Sequence, residues 1–255
     1  MDKKVQVTII QIDNYGPWTA TLGYDREHHI QMLQASLYSE LQKEFSDKGG
    51  LVFYNRFDEM VAITNGIGPE EHKGIQDNLA RQFPVSISMS TGVGDTPYQA
   101  QMAASKALQQ TGSAQSSSRK EILVGEYLEN GLNFVQVAHL DVDGITQSST
   151  DVKSSYDTSR VILNIFSSLG DAFAKRGSLV FYLGGDNFIA ISNGIDREFV
   201  KSVLDKVGSS FGLDMKGGIG KSTNARRAAE LATHCLDDIR EKKVVGPVFS
   251  LSDLN

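Results

Sequence analysis

The chain reads as an α+β protein made of two tandem βαββαβ units with antiparallel sheets. Three observations predict it: an internal repeat, the order of apolar periodicities within each repeat, and an ordinary globular composition. Gln11-Ile12-Asp13-Asn14-Tyr15-Gly16 lies over His139-Leu140-Asp141-Val142-Asp143-Gly144, which relates Asp13 to Asp141 by 128 positions. The same spacing carries Val52-Phe53-Tyr54 onto Val180-Phe181-Tyr182, Asp58 onto Asp186 and Asn65-Gly66-Ile67 onto Asn193-Gly194-Ile195. Gly92-Val93-Gly94 matches Gly218-Ile219-Gly220 at 126, read as a two-residue loop insertion, and Leu108 returns to 128 against Leu236.

Each element then follows in order. Val5, Val7 and Ile9 open a strand that runs to Ile12, with Phe134 to Leu140 as its copy, and both strands stop at an aspartate. Ile30, Leu33, Leu37, Leu41 and Phe45 keep the i, i+3, i+4 spacing of an amphipathic helix, as do Ile162, Ile165, Leu169 and Phe173. Gly49-Gly50 and Gly177 end these helices. Leu51 to Tyr54 and Met60 to Thr64 are rich in β formers and flank a short polar turn that carries Asp58, a hairpin signature. Pro69 to Gln82 reads as a second helix and Val85 to Val93 as a fourth strand. Pro97 and Gly112 frame a third helix. This order is the ferredoxin-like, or palm, arrangement, in which helices pack on one face of the sheet. The expected domains are 1–115 and 132–255, joined by a polar linker at 116–131, and Ile145 to Thr158 is expected to be a mobile loop.

Composition excludes several classes. Apolar residues at 40% and charged residues at 22% fit a folded globular chain and exclude collagen, a long coiled coil and wholesale disorder. No window reaches the roughly 18 apolar residues of a membrane span, and the first residues lack a signal-peptide core, so a cytoplasmic protein without a membrane partner is expected. A net charge of −6 argues against nucleic acid as the main partner. The single cysteine, Cys235, allows no intrachain disulfide and no Cys-rich zinc site; its apolar helix face makes it a buried hydrophobe.

Aspartates at strand ends carry the chemistry. In βαββαβ order the first and third strands are neighbours, so an aspartate ending the first strand and one at the hairpin tip can converge at one sheet edge. Asp13 with Asp58, and Asp141 with Asp186, supply that pair twice. Such hard oxygen ligands suit magnesium bound partly through substrate phosphates, which can orient an in-line displacement at phosphorus. Turns favour Asp on their own account, but the pairing recurs at one offset in both halves.

Two resemblances extend this reading. Gly184-Gly185-Asp186-Asn187-Phe188 resembles the hairpin motif of GGDEF diguanylate cyclases, and Asp141-Val142-Asp143 resembles the Asp-x-Asp that ends their first strand. A fuller match, along the whole chain, is to the archaeal GTP cyclohydrolase III family. It is carried by Gln11-Ile12-Asp13-Asn14-Tyr15-Gly16-Pro17-Trp18-Thr19, Asp47-Lys48-Gly49-Gly50, Arg56-Phe57-Asp58, Ile63-Thr64-Asn65-Gly66-Ile67, Gly112-Ser113-Ala114-Gln115, Arg119-Lys120-Glu121 and the Gly184–Phe188 motif. The resemblance implies a magnesium-dependent enzyme, activated by potassium. It would open the guanine imidazole ring of GTP and release the β and γ phosphates, leaving a formylamino-pyrimidine monophosphate.

Asp13, Asp58, Asp141 and Asp186 are then the expected metal ligands and catalytic groups, with the Asn14 and Val142 carbonyls carried over as further ligands. Arg240 falls where GGDEF proteins place a phosphate-binding lysine, and Arg119 and Lys120 follow the corresponding first-half helix. Gly184 and Gly185 belong to the implied nucleotide motif. Arg56 stands where the first of those glycines would be in the first half, which blocks simple transfer of its role. Asn14, Tyr15 and Trp18 can stack on or hydrogen-bond guanine, although an aromatic beside a strand end is as often packing.

Other signals carry no assignment. Gly217 to Thr223 fails the P-loop spacing, because Met215 stands where the motif needs glycine. His28, His29, His72, His139 and His234 lack a cysteine partner at zinc spacing, and no residue is assigned as the base for attack at guanine C8. Exposed sheet faces make a homo-oligomer the expectation. Two alternatives stay open on sequence grounds: a cyclase making a cyclic guanine nucleotide, which Asn187 in place of an acid disfavours, and a silent GTP-binding regulator.

Overall fold

The computed structural model describes residues 4–128, 133–145 and 149–254. It divides into two compact units with the main boundary at 132/133. In the first, β1 (Val5–Ile12) pairs antiparallel with both β3 (Glu59–Ile63) and β4 (Ile87–Gly94), and β2 (Leu51–Arg56) completes the hairpin. The helices of this unit are α1 (Tyr15–Thr21), α2 (Glu27–Ser46), α3 (Pro69–Gln82) and α4 (Pro97–Gln109). The second unit repeats the plan with β6 (Val135–Asp143), α5 (Ser155–Ala174), β7 (Leu179–Gly184), β8 (Asn187–Ile191), α6 (Arg197–Phe211), β9 (Asp214–Ser222) and α7 (Ala225–Arg240). The expected α+β class and βαββαβ order therefore hold in both units.

Three elements depart from expectation. Leu123–Gly125, inside the stretch read as a linker, forms β5 and adds parallel to β4. Val248–Ser252 forms β10 in the same place beside β9, so both sheets have five strands, ordered β2-β3-β1-β4-β5 and β7-β8-β6-β9-β10. The expected loop Ile145 to Thr158 is shortened by α5, which starts at Ser155, where the Ser154 hydroxyl caps the helix by accepting from Asp157 N. Thr146, Gln147 and Ser148 of that loop lie outside the described residues.

The cores are built from the apolar stripes the sequence displays. Leu37, Leu41 and Phe45 of α2 bury against Ile10, Ile12 and Met60, and Ile165, Leu169 and Phe173 of α5 bury against Leu140 and Phe188. Helix α7 lies so close to β9 that a Cβ on Gly220 would sit 2.0 Å from the Ala228 carbonyl oxygen; Gly92 stands 2.3 Å from Ala100 O in the same sense. Cys235 is buried as expected, its thiol pushed up to about 11 by burial. No helix among the described residues is long and apolar enough to cross a membrane.

These contacts correct the repeat alignment. Gly92 rests on Ala100 and Ala104 as Gly220 rests on Ala228 and Ala232, so this strand keeps the offset of 128 and has no insertion. The first strand is the one that slips. Gln6 N donates to Asn65 Oδ1 and Gln6 Nε2 to Thr64 O and Ile67 O, while Gln136 makes the same bonds to Asn193, Ser192 and Ile195. Gln6 thus corresponds to Gln136, an offset of 130, and the strand pairings agree: Gln11 faces Glu59 as Asp141 faces Asn187. The structural counterpart of Asp13 is Asp143, and that of Asp141 is Gln11.

The first core holds a buried polar chain whose counterpart in the second is apolar. His72 donates from Nδ1 to Gly68 O at 2.8 Å, which leaves Nε2 to accept from the Thr8 hydroxyl, also at 2.8 Å. The second unit has Val200 and Ala138 at these places. Burial pushes the His72 imidazole below its ordinary value near 6.5, so the unfolded chain binds the proton more readily. His72 therefore favours folding fully above that value, and the contribution is lost as pH falls through the folded value. In urea titrations, His72→Val should flatten the stability decline between pH 8 and pH 5 (a window of about those limits); an unchanged slope would contradict the assignment.

Candidate functional site

The β7–β8 turn places Asp186. Gly184 and Gly185 have φ of 110° and 59°, conformations that glycine adopts without strain, and a bulge between Tyr182 and Gly184 tightens the hairpin. β6 delivers Asp141 to the same edge. Asp141 pairs across the sheet with Asn187, and Val142 N donates to Asp186 O at 3.3 Å. Asp141 is buried, and Arg240 Nη2 bridges its Oδ1 at 3.0 Å. Burial raises the Asp141 carboxyl above its usual value; Arg240 works against this, and the Asp186 charge adds to it. Two like charges are therefore held near one another.

Two cations lie beside Asp141. Arg240 also bonds Asp237, and Lys216 lies opposite Asp141 in the β6–β9 register and bridges Asp143 at 2.8 Å. On the other side a cavity of about 420 Å³ is lined by Ile145, Thr158, Ile162, Tyr182, Gly185 and Asp186. Its apolar walls, hydroxyls and adjacent carboxylate suit a base or sugar with polar edges.

The first unit differs at the corresponding places. Asp13 is buried with both carboxylate oxygens engaged: Oδ2 accepts from Ser86 Oγ at 2.8 Å and Glu121 N at 2.9 Å, and Oδ1 accepts from Ser88 Oγ at 2.5 Å. These bonds tie the β5 segment to β1 and β4. Asp58 is a turn residue as expected, with the Arg56 guanidinium 3.7 Å away. Arg56 is exposed and donates to Glu59. Arg119 is buried and donates to Thr111 Oγ1 at 3.0 Å and Gln11 Oε1 at 2.9 Å, while Lys120 is exposed.

Asn14 holds a left-handed φ of 50°, and its buried Oδ1 has no hydrogen-bond partner among the described residues. Tyr15 OH accepts from Gln34 Nε2 at 2.6 Å and its ring lies 6.2 Å from Trp18. Burial, then the Asp58 charge, raises the Tyr15 phenol. The structure thus gathers Asp141, Val142, Gly184, Gly185, Asp186 and Arg240 at one edge. In the first unit it engages Asp13 and Arg119 with neutral protein groups.

Lys216 carries no signal in the sequence alone. It precedes the glycine run that fails the P-loop spacing; that run is the extended strand β9, and only cross-strand register brings Lys216 to Asp141. Among the described residues no cluster of three or more His, Cys, Asp or Glu could hold a metal, so any ion here would rest on the carboxylate pair with backbone or substrate oxygens.

The fold and this edge define a duplicated βαββαβ protein with a carboxylate pair flanked by cations. Residues 6–253 match the model of the GTP cyclohydrolase III family, and the chain belongs to that family. GTP cyclohydrolase III of Methanothermobacter thermautotrophicus is 42% identical over 236 residues, covering 92% of this chain and 94% of that one. The Methanosphaera stadtmanae protein of the same name is 42% identical over 98% of this chain and 99% of its own. Among solved structures, the GGDEF domain of DgcB from Caulobacter crescentus is similar with a TM-score of 0.39 and 16% identity, covering 46% of this chain and 77% of that one.

Asp13 and its counterpart Asp143 should respond differently to truncation. Asp13→Ala strands two buried hydroxyl donors and one part-buried amide and should cost about 2–4 kcal/mol in urea unfolding, whereas Asp143→Ala, which removes one half-exposed ion pair, should cost less than about 1 kcal/mol. Equal small losses would contradict the anchoring role of Asp13.

Proposed function

We propose that the chain converts GTP to 2-amino-5-formylamino-6-(5-phosphoribosylamino)pyrimidin-4(3H)-one and inorganic phosphate, and that the second unit holds the reacting nucleotide. The observation that carries the assignment is the register of β6 with β8, which sets Asp141 beside Asp186 in the second unit and neutral Gln11 at the equivalent place in the first. Family membership supports the reaction. The cavity beside Asp186 supports the placement of the nucleotide.

Magnesium fits the donors present. Asp141 and Asp186, with the Val142 carbonyl, are hard oxygens, and two repelling carboxylates call for a cation. When bound there, magnesium would neutralise the pair and draw charge from phosphate oxygens. The chain's own groups divide the remaining work. Arg240 and Lys216 attract the triphosphate, Arg240 exchanging its Asp141 contact for phosphate oxygens. Tyr182, Ile145 and Ile162 offer apolar surface to the base, and Thr158 offers a hydroxyl to its edge. Ring opening consumes one water, which adds at C8 as the C8–N9 bond breaks and leaves the formyl group on N7. Loss of the two phosphates consumes two more.

Protein incubated with GTP, magnesium and potassium should yield the formylamino-pyrimidine monophosphate and phosphate; a cyclic dinucleotide product, or unchanged GTP, would contradict the proposal. Asp186→Ala should lower kcat by at least about 100-fold, while Asp58→Ala should stay within about threefold of the parent. The reverse pattern would move the reaction to the first unit.

A further inference from the structure

A hydrogen-bonded chain ends on Asp186 and begins outside the groups just assigned. His139 precedes Asp141 by two residues on β6 and so faces the same side of the sheet. Its Nε2 lies 3.0 Å from Asn187 Oδ1, and its Nδ1 lies 3.1 Å from the Thr233 hydroxyl on α7. Asn187 Nδ2 in turn donates to Asp186 Oδ1 at 2.9 Å.

The direction of every bond follows from the carboxylate. An ionised Asp186 can only accept, so Asn187 must turn its NH₂ toward Asp186 and its carbonyl oxygen toward the imidazole. His139 Nε2 then carries the hydrogen, and Nδ1 of the neutral ring accepts from Thr233. An asparagine amide without such a partner can flip. Here a flip would set oxygen against carboxylate and nitrogen against an N–H donor, so the ring locks the amide and the amide holds one oxygen of Asp186. The first unit has Ile9, Glu59 and Ser105 at the corresponding positions, and an isoleucine and a carboxylate cannot repeat the chain.

The geometry points to His139 as a positioning residue that acts through Asn187: it sets the direction of the Asp186 carboxylate and thereby the affinity of the Asp141–Asp186 pair for a divalent cation. This role rests on the metal assignment made above. A partner that orients a ligating group is worth about 10–100-fold in metal affinity or activity. The Thr233 hydroxyl, at the exposed end of the chain, contributes a smaller share by holding the ring.

The test uses the full-length protein with Mn²⁺ alone as the probe, free ion being counted by electron paramagnetic resonance, and with melting curves to show that each variant is folded. His139→Ala should weaken Mn²⁺ binding about 10–100-fold and lower kcat in subsaturating magnesium. At saturating magnesium its KM for GTP should change less than about twofold, because no contact to the nucleotide is lost. His139→Gln, whose amide N–H can reach Asn187 Oδ1, should recover binding to within about threefold of the parent. Thr233→Val, on an exposed helix face, should weaken binding in the same direction by less, and it serves if His139→Ala does not fold.

Asp186→Ala separates the two levels of the argument. Lost Mn²⁺ binding in Asp186→Ala beside unchanged binding in His139→Ala and Thr233→Val would overturn the positioning role alone. Unchanged binding in Asp186→Ala would remove the metal site itself, and the positioning role with it. Equal losses in His139→Ala and His139→Gln would show that the donated hydrogen bond is not what matters and would also overturn it.

Discussion

Asp141 and Asp186 are held together against their mutual repulsion by the backbone. The β6–β8 register places Asp141 opposite Asn187, and two glycines with positive φ fold the hairpin so that Asp186 comes next to it. Burial adds to the cost, since a partly desolvated carboxylate beside another is poorer as an anion. Arg240 offsets part of that cost through its ion pair with Asp141. A site that concentrates negative charge on rigid strands and rings it with Arg240 and Lys216 is suited to a ligand that brings both a divalent cation and a phosphate tail.

The duplication makes the same point by contrast. Both units keep the glutamine that ties the first strand to the segment after the third, Gln6 in one and Gln136 in the other. Both keep an arginine on the residue equivalent to Asp141, yet Arg119 bonds neutral Gln11 where Arg240 bonds a carboxylate. The first unit has turned its remaining strand-end aspartate inward, where Ser86, Ser88 and the Glu121 amide hold it and anchor β5. The first unit's carboxylate serves fold cohesion, while the second unit's Asp141 lies at the sheet edge in an ion pair with Arg240.

Most of the fold was legible because it depends on period and punctuation. The α2 and α5 stripes, the hairpin turns and the helix-ending glycines lie within a few residues of one another in sequence, where sterics and amphipathicity act directly. β5 and β10 were not legible. Leu123–Gly125 and Val248–Ser252 are short edge strands of three and five residues, each defined by a parallel partner about thirty residues away in sequence, so local pattern alone does not mark them as strands. The repeat is legible, but the identity of Asp13 and Gly16 with Asp141 and Gly144 sets its first strand two residues off. Val5-Gln6-Val7 against Val135-Gln136-Val137 was the better guide, and its meaning becomes plain once the Gln6 and Gln136 bonds are seen. Within the site, Asp141, Asp186 and Arg240 stood out as residue types at motif positions. Lys216 and His139 did not, because what distinguishes them is which side chain they meet across the sheet.

The claim that matters most is that the carboxylate pair of the second unit is where cation and nucleotide meet. Crystals grown with GTP and Mn²⁺ test it directly through the anomalous signal of manganese. The account predicts a peak between Asp141 and Asp186 with the nucleotide's phosphates reaching Arg240 or Lys216. A peak between Asp13 and Asp58, with the second unit's edge still closed by the Arg240–Asp141 ion pair, would contradict it.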